Sequence, residues 1–306
     1  MTERLTMPRR LLALIACALP LLLSSGCTEP ETAARADGPT TPFDRALHDA
    51  LPEDVRSSGE LRVATDASYA PASLFAEDGR TIIGFEPDLG AAIGRVLGVR
   101  LRFEQAQFSQ MLSHIKHGRT DLVMSAMTDT GAREKRADFV NYFSAGTAII
   151  VQRGNPAGIS DLAGLCGQRV AVEDGTVQVD LLARSQNRCG DRPIVVRTYD
   201  SNADALVQLR TGRAAAVLTD YPPAAHLATD PKTRARFQLA STAQYEPGLY
   251  GIAVARDRPQ LRDAVRDALD RVIRSGEYET ILERWGVEDG AVSETSINAG
   301  VHASGG

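Results

Sequence analysis

Two successive runs of alternating strand and helix signals constrain this chain more than any other feature. In the first, Leu61-Arg62-Val63-Ala64 alternates like a strand. Asp88 then opens a helix with Leu89, Ile93, Val96 and Leu97 on one face, and Gly98 stands where a helix end favours a left-handed residue. Residues 99–103 alternate again, Phe108, Met111, Leu112 and Ile115 recur at helical spacing, and Leu122-Val123-Met124 is a short apolar strand. The second run has strands at 170–172, 194–196 and 215–218, with helices from Gly175-Thr176 through Leu182 and from Ala203 to Leu209. Each run is a βαβαβ series, which favours a mainly parallel sheet flanked by helices. Two further amphipathic helices follow, marked by Leu261, Val265, Leu269 and Val272, then by Tyr278, Ile281, Leu282 and Trp285. The spacing assigns these side chains to a core.

A length of 306 residues suits two α/β lobes. The first 26 residues form an export signal: Arg4, Arg9 and Arg10 precede an apolar run from Leu11 to Leu23, too short for a membrane span, and small residues follow. Cys27, directly after them, resembles the modified cysteine of a bacterial lipoprotein, although Ser24 stands where Leu is usual. The competing reading is simple cleavage with a free Cys27. Residues 27–58, rich in Thr, Glu, Pro and Ala, are expected to be a flexible tether, and residues 288–306 a disordered tail.

Cys17 lies in the signal and Cys27 at its end, leaving Cys166 and Cys189. An even remainder in an exported chain reads as a disulfide, since two cysteines without a nearby His or Cys-x-x-Cys spacing make a poor metal site. The net charge is −5; the signal holds three Arg against Glu3, so the remainder carries about −7. With no basic run, nucleic-acid binding has no electrostatic footprint.

No nucleophile elbow, phosphate loop, metal-spaced His pair or dinucleotide fingerprint occurs. Attention falls on polar residues just past strand ends, where open parallel sheets place ligands. These are Asp66 and Tyr69; Ser125 to Thr128, with Arg133 behind them; Glu173 to Thr176; and Thr219-Asp220.

In order and spacing, several stretches resemble the bacterial extracellular solute-binding proteins of family 3, which serve ABC importers of polar amino acids. They are residues 59–63 with Asp66 and Tyr69, residues 84–89, residues 118–121, residues 128–130 with Arg133, Asp138-Phe139, Gly175-Thr176, Gly212-Arg213 with Asp220, and Tyr250-Gly251. The resemblance implies a type II periplasmic-binding-protein fold with a two-strand hinge. Lobe one would be residues 59–143 plus 251–287, and lobe two residues 148–246. It also implies an amino-acid ligand, an ABC permease partner, a monomer, and neither catalytic residue, metal nor cofactor.

The same resemblance suggests roles. Arg133 would clamp the ligand carboxylate, helped by Thr128 and by the helix start at Gly175, Thr176 and Val177. Asp220, with the carbonyl of Ala126, would take the ammonium. Tyr69 and Phe108 would sandwich the ligand, and Asp66 and Glu173 would meet its side chain, favouring a basic or polar one such as arginine, lysine or glutamine. The plainer assignments are a surface ion pair for Arg133, helix caps for Thr176 and Asp220, and core packing for Phe108. Gly131-Ala132, Val177, Glu173 and Ala215 depart from the family pattern. The alternative function is a dehydratase on the same scaffold, with a pocket carboxyl such as Glu173 as general acid.

Overall fold

One continuous sheet passes through both halves of the molecule. The computed structural model describes residues 38–300; the expected export signal, Cys27, residues 28–37 and residues 301–306 lie outside the described residues. Helices α1 (Arg45–Ala50) and α2 (Glu53–Ser58) precede β1 (Glu60–Thr65). A small antiparallel sheet follows, of β2 (Ser68–Tyr69), β3 (Ser73–Phe75) and β4 (Ile82–Ile83). Next come α3 (Phe85–Leu97), β5 (Arg100–Gln105), a 3-10 turn at Phe108–Gln110 running into α4 (Met111–Lys116), β6 (Leu122–Val123) and the one-turn α5 (Gly131–Glu134). The long β7 (Asp138–Gln152) crosses into the second lobe. There β8 (Arg169–Glu173), α6 (Val177–Ser185), β9 (Val195–Tyr199), α7 (Asn202–Arg210), β10 (Ala216–Asp220), α8 (Tyr221–Thr229) and β11 (Phe237–Leu239) assemble. Strand β12 (Tyr245–Val254) returns, and α9 (Pro259–Arg274) and α10 (Glu277–Trp285) complete the first lobe.

The strand order is β5-β1-β6-β12-β7-β10-β8-β9, with β11 also on β7. Strands β1, β5 and β6 are parallel, as are β8, β9 and β10; β7 and β12 run antiparallel to each other. Each lobe keeps its own apolar core. Leu61, Val63, Ile93, Val265 and Leu269 centre the first, and Val170, Val172, Leu182 and Leu218 the second. Strand β7 contributes Phe139 and Val140 to lobe one and Ile149 and Val151 to lobe two. Its pairing with β12 shifts register between Tyr245 and Gly248 and again between Tyr250 and Gly251, so the two linking strands bend where they cross. Cys166 and Cys189 form a disulfide in lobe two.

The two βαβαβ series form as their periodicities predict, with local differences. Helix α3 starts at Phe85 rather than Asp88. Gly84 (φ +142°) makes the entry turn, and a Cβ there would lie 2.0 Å from Ala72 O. Pro87 sits in the first turn, where a missing N–H costs little. The helix expected from Gln107 divides into the 3-10 turn and α4.

Two expectations are corrected. Within the proposed tether, residues 45–50 and 53–58 are helical, and Leu51 and Val55 are buried in the lobe-one core. Asp44 caps α1 by accepting the amides of Ala46 and Leu47, and Thr41 N donates to Glu277 Oε2 at 2.7 Å. Six-residue helices are too short to show a periodicity, so composition misled. Within the proposed tail, residues 288–300 are also structured. Gly290 is packed under the Phe143 ring, Val292 N donates to Tyr278 Oη, and Ile297 bridges to Val140.

Candidate functional site

The C-terminal ends of β1, β6, β8 and β10 converge between the lobes, and each delivers polar residues to one cleft. From lobe one come Asp66, Tyr69, Phe108, Ser125, Ala126, Thr128 and Arg133; from lobe two come Glu173, Thr176, Val177, Gln178 and Asp220. The cleft between them is nearly shut, leaving a cavity of about 10 Å³, room for about one water molecule. Gly175 lies outside this lining but touches the site through its carbonyl.

Arg133 is fixed on both sides. Thr130 caps its one-turn helix, Nη1 donates to Thr128 O at 2.6 Å, and Nη2 crosses to Gly175 O at 2.9 Å. Its Cζ lies 5.4 Å from the centroid of the Phe108 ring. Burial lowers the guanidinium pKa to about 10, with Asp220 pulling it back up, so it stays charged at neutral pH. Arg133 is therefore not in a surface ion pair.

Asp220 is buried at the end of β10 and stands at the start of α8 without capping it. Its Oδ1 accepts Gln178 Nε2 at 2.6 Å. Burial pushes its carboxyl up to about 6, against the nearby hydroxyls of Tyr250 and Tyr69, the Gln178 hydrogen bond and the charge of Arg133. The Tyr250 hydroxyl interacts electrostatically with Asp220 but reaches no partner in hydrogen-bond geometry. Tyr69 Oη accepts from Thr219 Oγ1 and from Asp220 N, both at 2.9 Å. The lobes are thus in contact across the cleft.

Asp66 and Glu173 are both buried. Asp66 accepts Ser68 N and Gln105 Nε2 through Oδ1 and Ser68 Oγ through Oδ2. Glu173 Oε1 is buried without a partner. Burial, followed by the charge of Asp66 and a hydrogen bond with it, holds the Glu173 carboxyl well above its usual range. A dry site and a neighbouring negative charge both favour the protonated form of a carboxyl. Thr176 occupies the N-cap position of α6 without capping it; its Oγ1 donates instead to Glu173 O at 2.8 Å. The first amides of α6, which have no intrahelical acceptor, follow it.

Two residues, Gln178 and Glu86, were not foreseen as site components, and Ser125 was noted past a strand end without a role. Gln178 sits in the first turn of α6 between two valines, and only its polarity beside an apolar face hints at burial. Ser125 lies in a stretch noted at the end of β6; its Oγ accepts Asp66 N at 2.9 Å. Glu86, fully buried, accepts Ser73 Oγ, Ala126 N and Tyr142 Oη. It holds Ala126 in a left-handed conformation (φ +46°) that turns the backbone at the cleft wall.

Among the described residues, no cluster of His, Cys, Asp and Glu is suited to a metal, and no helix is long and apolar enough to cross a membrane.

Two lobes linked by β7 and β12, with opposed charges facing a shared cleft, define a protein that shuts around a small solute. The chain belongs to the bacterial extracellular solute-binding proteins, family 3, whose profile matches residues 61–288. It is 29% identical over 254 residues to the arginine-binding protein ArgT of Corynebacterium glutamicum, covering 81% of each chain. It is 29% identical to the L-cystine-binding protein TcyJ of Escherichia coli, over 76% of this chain and 84% of that one. A solved ancestral arginine-binding protein with bound arginine superposes with a TM-score of 0.68 at 31% identity, covering 74% of this chain and 98% of that one.

Proposed function

We propose that this chain is the solute-binding subunit of an ABC importer, and that it captures a zwitterionic amino acid with a cationic or polar side chain. The observation carrying this reading is the placement of Arg133 and Asp220, from different lobes, on one buried cleft. Arg133 gives two donors to carbonyls and keeps others for a carboxylate, joined there by the first amides of α6. Asp220 and the Ala126 carbonyl take the ammonium. Thr128 lines the carboxylate end, and Tyr69 and Phe108 flank the ligand.

Charge favours a basic side chain. One guanidinium shares the cleft with three carboxyl groups, Asp66, Glu173 and Asp220. A zwitterion leaves this imbalance unchanged, whereas an added guanidinium or ammonium relieves it beside Asp66 and the unpartnered Glu173 Oε1. Relatives named for arginine support this choice. A thermal-shift screen over the common amino acids tests it: L-arginine or L-lysine should raise the melting temperature by mass action, and no response to any amino acid would overturn it.

A protonated Glu173 also suits a general acid, the feature favouring a dehydratase. Purified protein should leave prephenate and arogenate unchanged, and turnover of either would establish that second activity. The protein works as a monomer outside the cytoplasm, released from its export signal and held at the membrane by lipid on Cys27. Cys27→Ala should release it into the medium.

A further inference from the structure

The family profile ends at residue 288, yet the chain continues as a described strap to residue 300. Thr295 begins it on α9, where its N–H and Oγ1 both donate to Asp270 Oδ1. It then runs along β7 immediately before that strand crosses between the lobes. Asn141 N donates to Ser296 O at 2.9 Å, Asn298 N to Phe139 O at 3.0 Å, and Phe139 N to Asn298 Oδ1 at 2.8 Å. Asn298 Nδ2 reaches Asp138 Oδ1 at 3.0 Å.

The end of the strap meets the segment that carries the guanidinium. Asn141 Oδ1 accepts Ser296 Oγ, while its Nδ2 donates to Asp129 Oδ2 at 3.0 Å. Gly300 N donates to Glu134 Oε1 at 3.2 Å. Asp129 and Glu134 directly follow the two cleft residues of this segment, Thr128 and Arg133. The fit leaves no room for a side chain, because a Cβ on Gly300 would lie 2.5 Å from Asp129 O. On the other side the segment is tied to β12, with Asp129 N on Leu249 O and Thr128 bridged to Tyr250.

We propose that residues 295–300 are a positioning element, which fastens residues 128–134 to the start of the hinge and so fixes the Arg133 guanidinium before ligand arrives. The strap touches no ligand. Its hydrogen bonds replace freedom in a polar loop and a one-turn helix, neither of which has enough apolar burial to hold itself. The binding part of this inference rests on the proposed function; the ordering part does not.

The test shortens the chain after Glu294 and follows two readouts, hydrogen exchange of the ligand-free protein and calorimetric titration with L-arginine. Exchange at the amides of Asp129, Arg133 and Glu134 should rise about tenfold or more, while β8 and β10 stay protected, and arginine affinity should fall by about tenfold. Unchanged exchange at those amides would overturn the proposal, as would an increase spread evenly over lobe one. If the full-length chain fails to bind arginine, the proposed function fails while exchange still decides the strap. Should the shortened chain unfold, Gly300→Leu, which ejects only the tip, replaces it with the same criteria.

Discussion

The hydroxyl of Tyr69 accepts the backbone N–H of Asp220 at 2.9 Å, joining the first lobe to the residue assigned to the ligand ammonium. The same oxygen accepts Thr219 Oγ1. Both bonds exist only when the lobes meet, so they bias the equilibrium toward closure. Tyr69→Phe keeps the ring but leaves two buried donors unmatched in the closed form. At about 1 kcal/mol for each bond, the affinity for L-arginine should fall by roughly 5- to 30-fold, with a more open ligand-free protein in solution scattering. Unaltered affinity would mean that the contact does not stabilise closure.

Asp66 and Glu173 are not equivalent. Burial and the charge of Asp66 favour the protonated form of Glu173, of which glutamine is a near-isostere. Glu173→Gln should therefore change arginine affinity by no more than about threefold, whereas Asp66→Asn, which removes the neighbouring negative charge, should cost on the order of tenfold or more. Titration of both variants checks the order of the two effects. The melting temperature of Glu173→Gln relative to the parent should also rise with pH, because the parent bears the growing cost of ionising a buried carboxyl.

The pH dependence follows from Asp220 and Asp129, each raised by burial from 3.8 to about 6. A carboxyl whose folded pKa exceeds its unfolded value binds its proton more tightly when folded. Its contribution to stability is present at low pH and disappears as pH rises through about 6. On this account the ligand-free protein loses stability between about pH 4 and 6.5. The ligand shows the opposite trend, because its ammonium competes with a proton for Asp220. Affinity should weaken below about pH 6, approaching tenfold per pH unit. Melting curves with and without L-arginine across that range test both signs.

The Cys166–Cys189 disulfide closes a sequence separation of 23 within lobe two, where Cys189 packs in the core. Replacing both residues with serine should cost about 2–4 kcal/mol, from the entropy restored to the unfolded loop. Denaturant melts of the variant should show the loss, with hydrogen exchange rising at β8 and α6 and staying unchanged at β1 and α3.

Much of this architecture was legible because two βαβαβ series leave few ways to place strands. The polar residues past each strand end accordingly arrive together at the cleft. What stayed hidden depends on distant polar contacts. Glu86 reads as an ordinary acidic residue in a helix start, and its burial depends on Tyr142, Ser73 and Ala126. Gln178 reads as a solvent-facing helix residue until Asp220 faces it. Residues 295–300 look unstructured by composition because they are fastened by hydrogen bonds more than by apolar area. Residues 45–50 and 53–58 form helices too short for a repeating pattern to show.

The central claim is that Arg133 grips the α-carboxylate of a ligand whose ammonium lies at Asp220. Calorimetric titration of the parent and of Arg133→Ala with L-arginine and with agmatine, which lacks only that carboxylate, tests it as a cycle. The account predicts that agmatine binds the parent at least about 100-fold more weakly than L-arginine does. It also predicts that Arg133→Ala binds the two compounds about equally, since the lost bond to Gly175 O weakens both alike and only L-arginine loses a carboxylate partner. Equal binding of the two compounds by the parent, or an Arg133→Ala variant that holds L-arginine as tightly as the parent, would contradict it.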